Sequence, residues 1–322
     1  MTASNLQLST RGTVSEHLSG RVFGGEPHHP FVSILPHRRG MCHRGSPSGG
    51  VAGRSLEAML RLLDARTGSY AEVRPARRGL LRVSAQVPGS AGQLEITGLR
   101  VLLAADLLFR VAELGNLQVL TVLTSDGESR GQLMELGHAA DALGIHPPAA
   151  RASSRDAHVA LGGPIDVHLA SHRPQLGDEQ KGLVVFVGAA RMPETDGQAP
   201  DGSLPAGFAP DPLAIRLALM SYPPGTPAEL TGSVLARACQ TAESWRLRVA
   251  QWAQWPSKPV PAHLAQAVRA AFDDLDTVSV LALLRDLADD DSVPAGARFE
   301  TFLYADRILS LDLPRDIGRL GG

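Results

Sequence analysis

Aromatic residues are scarce in this 322-residue chain, at 4%, and it contains two cysteines, Cys42 and Cys239. Two isolated thiols cannot frame a disulfide-stapled domain, and neither has a partner at metal-ligand spacing, so a reducing compartment is the expected setting. There is no excess of charge of either sign: 31 lysines and arginines face 33 aspartates and glutamates, for a net of −2. That balance gives no basic excess, so tight nonspecific binding to nucleic acid is not indicated for the chain as a whole. No apolar run reaches the roughly eighteen residues that cross a bilayer, and the N-terminus lacks the hydrophobic region of a signal peptide. A soluble, cytoplasmic protein without membrane attachment is expected.

Alanine, leucine, arginine and glycine are plentiful, and the length allows two domains with a sizeable core. Around the stretch Leu99–Asp126 the rest of the chain is arranged. Val101, Leu102, Ala105, Leu108 and Val111 recur at three- and four-residue spacing, which predicts a helix with one buried face. Gly115 stops it. The run Val119–Leu123 is too short for another helix and is β-branched at Val119, Thr121 and Val122, so it reads as a buried strand. Helix, turn and strand form half of a parallel α/β unit.

Residues 1–58 are rich in Gly, Ser, Pro, His and Arg without a sustained period, and are expected to be a loosely ordered extension. The histidines between His28 and Gly45 match no closed zinc spacing, and Arg38, Arg39 and Arg44 would repel a cation there. From Leu60 the pattern changes. Asp64–Gly68 reads as a turn between two extended pieces, and Gly79–Val87 as the first core strand, with a flexible Gly- and Ser-bearing loop after it. Gly131–Leu143 is a second amphipathic helix, Arg151–His158 is polar, and Gly182–Val187 is a short buried strand. Residues 188–210 have the composition of an exposed linker, and everything from Asp211 onwards is expected to be helical. Trp245, Trp252 and Trp255 fall at spacings that pin one helix face to a neighbour.

Several of these segments, in order, resemble the cysteinyl-tRNA synthetases and the related cysteine ligases of mycothiol synthesis. LRLLDARTGSYAEVRPARRGLLRV at 60–83 resembles the family's opening hairpin and first strand. LRVLLAADLLFRVAELGNLQVLTVLTSD at 99–126 resembles the helix and strand after the HIGH signature, and LGIHPPAARAS at 143–153 the segment closing that half of the fold. GGPIDVHLASH at 162–172 resembles the glycine-rich adenosine-contacting segment, while DPLAIRLALMS at 211–221 and FDDLDTVSVLALLRDL at 272–287 resemble the helical domain beyond. The resemblance implies an α/β architecture, a Rossmann-like class I synthetase nucleotide-binding fold over 59–210 followed by an all-α helical bundle over 211–322.

It also implies a site that this chain lacks. Glu95-Ile96-Thr97-Gly98 stands where HIGH should, placing an acid where phosphate should sit, and 188–210 has no lysine in place of KMSKS, only Arg191 among Glu194, Asp196 and Asp201. The family's zinc ligands are replaced by Gln86, by Ser171 beside a lone His172, and by Gln175. About ten residues stand between Arg151 and Leu161, near an ordinary loop length, where the family inserts its connective domain, and no anticodon-binding domain follows Leu313.

The expectation is a non-aminoacylating, cysteinyl-tRNA synthetase-like pseudoenzyme, a scaffold or regulatory subunit for a protein partner, with no catalytic residues, no zinc and no tRNA binding. The alternative is an ATP-dependent, amino-acid-activating ligase with a remodelled pocket in specialised metabolism. For that alternative ATP or AMP is the cofactor, and Gly162, Gly163, Asp166 and Arg100 are the candidate binding residues. Glycines admit an adenine closely, a carboxylate binds ribose hydroxyls, and a cation answers phosphate; a tight turn with a capped strand would produce the same glycines and aspartate. His168 and His172 are the available general bases.

Overall fold

The computed structural model describes residues 60–88, 94–125, 127, 129–172, 182–192, 211–273 and 275–319. The chain divides into two compact units, Met1–Gly53 and Arg54–Gly322, and every described residue belongs to the second. The extension at 1–58, Cys42, Gln175 and residues 193–210 lie outside the described residues.

Strands β1 (Arg61–Asp64) and β2 (Ser69–Glu72) form the antiparallel hairpin predicted around the 64–68 turn. Strand β3 (Leu80–Gln86) follows and is buried on both faces, as a central parallel strand must be. Helix α1 (Leu94–Leu114), strand β4 (Gln118–Thr124) and helix α2 (Arg130–Ala142) come next. Ser129 caps α2 in a reciprocal box with Gln132, satisfying two backbone donors at once. Strand β5 (Ala150–Ala152), the one-turn helix α3 (Ala157–Ala160), strand β6 (Val167–Ala170) and strand β7 (Leu183–Phe186) complete the sheet.

The five core strands are all parallel in the order β5-β4-β3-β6-β7. Numbered along the chain within the sheet this is the 3-2-1-4-5 order of a Rossmann-like, doubly wound sheet, with its topological switch between β3 and β6. Helices follow: α4 (Pro212–Met220), α5 (Gly232–Trp252), α6 (Ala262–Asp273), α7 (Thr277–Asp289) and α8 (Ala295–Leu309), with a 3-10 turn at Leu313–Asp316. Apolar side chains of sheet and helices share one continuous core, from Leu62 and Val83 through Leu108 and Leu217 to Phe302 and Leu313.

Four expectations need correction. Helix α1 is buried nearly all round rather than on one face, because the sheet, α2 and α8 all pack against it. The supposed linker starts inside the protein: strand β8 (Ala190–Arg191) pairs in parallel with strand β9 (Ala228–Glu229), and Gly188 and Ala190 are buried. Strand β9 also interrupts the region expected to be wholly helical. Finally, Trp245 and Trp252 do pin α5, meeting Phe302 of α8 edge-on at 5.6 and 5.1 Å, but Trp255 is 65% exposed. It falls after α5 has ended, so helical spacing no longer governs where it points.

Candidate functional site

In an open parallel sheet, ligands meet the crevice outside the carboxyl ends of the strands at the switch point. Here those ends are Gln86 of β3, Thr124 of β4, Ala152 of β5, Ala170 of β6 and Phe186 of β7. Gln86 donates from Nε2 to Ser154 Oγ at 3.2 Å, and Ser153 Oγ donates to Asp156 at 2.7 Å. Beneath them the buried hydroxyls of Ser84 and Thr124 pair at 3.2 Å. His172, two residues past β6, is exposed beside half-buried Ser171, and His168 is half-buried within β6 itself.

Helix α1 starts at this end of the sheet, and two of its buried polar groups turn to main chain. Thr97 Oγ1 donates to the Ala190 carbonyl at 3.0 Å and accepts from the Ala190 amide at 3.1 Å. Arg100, 3% exposed, donates to the carbonyls of Gly188 (2.9 Å), Thr226 (2.5 Å) and Pro223 (2.8 Å), with a longer contact to Ala189 at 3.4 Å. Burial pulls this guanidinium down to about 10, with Tyr222 opposing the shift. Gly188 fits here because it has no side chain: a Cβ would lie 2.1 Å from the Thr226 carbonyl oxygen. Glu95 lies in the first turn of α1, and its side chain is outside the described residues.

Gly162, Gly163 and Asp166 are brought together, but at the opposite, amino end of the strands. Asp166 immediately precedes β6 and is 7% exposed; it accepts from the backbone amides of Ala76 at 2.7 Å and Arg82 at 2.8 Å. The buried Arg82 side chain donates to the carbonyls of Leu161 at 2.9 Å and Gly162 at 3.3 Å, and its guanidinium carbon would lie 2.8 Å from a Cβ on Gly163. The glycines thus admit an arginine of the same chain. Three candidates therefore share one cluster, and Arg100 stands apart from them at the far end of the sheet.

The most elaborate polar cluster is one that composition and motif spacing do not flag. Asp106, in mid-α1 and buried, holds Arg216 of α4 at 2.5 Å and Arg110 at 2.9 Å through Oδ2; through Oδ1 it meets the His146 amide at 3.1 Å and Nδ1 at 2.7 Å. Burial works to raise its carboxyl, but the guanidiniums and hydrogen bonds prevail and hold it below the ordinary aspartate range. Arg216 also donates to the carbonyls of Leu309 at 2.6 Å and Leu143 at 3.2 Å. The available signal is a charge inside each of two apolar helical runs, AADLLF and AIRLAL. Among the described residues no group of three or more His, Cys, Asp and Glu side chains is placed to hold a metal ion.

No family model matches the chain, and no curated protein matches it. Among solved structures it is similar to one described as a putative arginyl t-RNA synthetase from Campylobacter jejuni. The two are 10% identical, the match covers 75% of this chain and 90% of that one, and the TM-score is 0.43. The Rossmann-like assignment rests on the strand order and register, independently of that likeness.

Proposed function

We propose that this chain is a class I, cysteinyl-tRNA synthetase-like protein that does not aminoacylate and serves as a scaffold or regulatory subunit for a protein partner. The observation that carries the reading is Arg100. A synthetase of this class needs cations free to meet the pyrophosphate of ATP, whereas the cation nearest the start of α1, Arg100, is engaged by four main-chain carbonyls. Lysine is nearly absent from the chain, which has Lys181 and Lys258 alone. Thr97, in the stretch that stands for HIGH, is likewise engaged by main chain.

The test is pyrophosphate exchange into ATP, with cysteine and the other amino acids supplied in turn to the full chain. No exchange above the protein-free control is expected, together with a stoichiometric partner on purification from the native host. Exchange with any amino acid overturns the reading. A second reading, a ligase with a remodelled pocket, is favoured by the switch point itself, where Gln86 and the exposed His172 stand at adjacent strand ends. Ligand bound to the native state raises its melting temperature, so a rise of several degrees at millimolar ATP or AMP selects that reading.

A further inference from the structure

A groove of about 350 Å³ opens between α4, α5 and α7, on helices rather than at the sheet's carboxyl edge. Its deep wall is apolar: Leu217, Ala238, Trp245 and Leu281 line it and are themselves buried. At its mouth stand two exposed arginines from different helices, Arg237 of α5 and Arg285 of α7. Other arginines of these helices, Arg216, Arg246 and Arg248, each hold a carboxylate. Arg237 and Arg285 hold none among the described residues.

The hydroxyls lining the groove do not compete for the donor role. Ser221 donates to the Leu217 carbonyl at 2.9 Å, Tyr222 to that of Glu229 at 2.7 Å, and Thr241 to that of Arg237 at 2.9 Å. The cationic donors that line the groove are the two guanidiniums, which receive oxyanions in a fork and cannot act as acceptors. We propose that this groove binds a small organic anion, an apolar body seated on Leu217, Trp245 and Leu281 with its oxyanion head held by Arg237 and Arg285. Its volume falls within the range of small-molecule sites, roughly 300–1,000 Å³. The proposal is independent of the synthetase-like reading, because no residue of the sheet takes part.

Isothermal titration of the full chain tests it, with 4-phenylbutyrate as the anionic probe and 4-phenylbutanol as its neutral counterpart. Saturable binding of the carboxylate is expected, at least about tenfold tighter than the alcohol, since charge-assisted hydrogen bonds carry that much discrimination. The double variant Arg237→Gln, Arg285→Gln should lose a similar factor for the carboxylate and none for the alcohol. Both side chains are exposed, so its melting temperature should match the parent's. Equal affinity for the two probes, unchanged carboxylate binding by the double variant, or no saturable binding overturns the proposal.

Discussion

Asp106 shows how a single side chain can join distant parts of a fold. Its two oxygens satisfy a fully buried guanidinium, a half-buried one, a backbone amide and an imidazole, drawn from α4, α1 and the 146 loop. Replacing it with alanine leaves Arg216, with no exposed side-chain surface, short of its counter-charge. Removing one member of such a pair costs far more than the pair itself contributes, and Asp106→Ala is expected to lower the unfolding free energy by about 3–5 kcal/mol. Urea denaturation followed by circular dichroism measures it; a loss below about 1 kcal/mol, the worth of an exposed pair, would contradict the buried geometry. At this scale the sequence was a partial guide. Asp166 and Arg100 attract notice by residue type, yet what each touches is main chain, and backbone amides and carbonyls carry no mark in a sequence. Arg82 is equally silent, since an arginine in a strand reads as a surface residue until the glycines opposite it are placed.

Elements long enough to show a period were legible. The spans of β3, α1, β4 and α2 follow from hydrophobic spacing and glycine stops to within a few residues. The two-residue strands β8 and β9 were not, because their pairing is set by a partner thirty-eight positions away and neither is long enough to alternate. Nor does spacing tell a helix buried on one side from one buried on several, which is why α1 reads as amphipathic. Helix α8 depends on an aromatic contact of the same long-range kind. Phe302 has no exposed surface and receives Trp245 and Trp252 edge-on, so truncating it opens a cavity between α5 and α8. Phe302→Ala is expected to cost about 3–5 kcal/mol, whereas Trp255→Ala, at an exposed position, should stay within about 0.5 kcal/mol. Thermal unfolding of the two variants side by side distinguishes these outcomes.

Over the whole molecule, the sheet and the later helices are joined by more than their chain connection. Arg100 reaches the carbonyls of Pro223 and Thr226, Asp106 reaches Arg216, and β8 pairs with β9, each link running from before Met192 to after Asp211. The order of the parallel strands was anticipated only as a class of fold, since the crossing from β5 back to β6 is made by contacts that local patterns do not encode. The pairing of β8 with β9 carries a consequence for how this protein can be made. A backbone cut between Met192 and Asp211 severs no hydrogen bond of that pair, no bond of Arg100 and no part of the Asp106 pair. Two separately expressed polypeptides, 54–195 and 205–322, should therefore find each other and co-elute as a one-to-one complex in size-exclusion chromatography, and the same pair carrying Asp106→Ala should elute apart. The protein would then be a reconstitutable two-piece assembly, its halves recognising each other through the shared apolar core, the bonds of Arg100, one buried charge pair and two short strands.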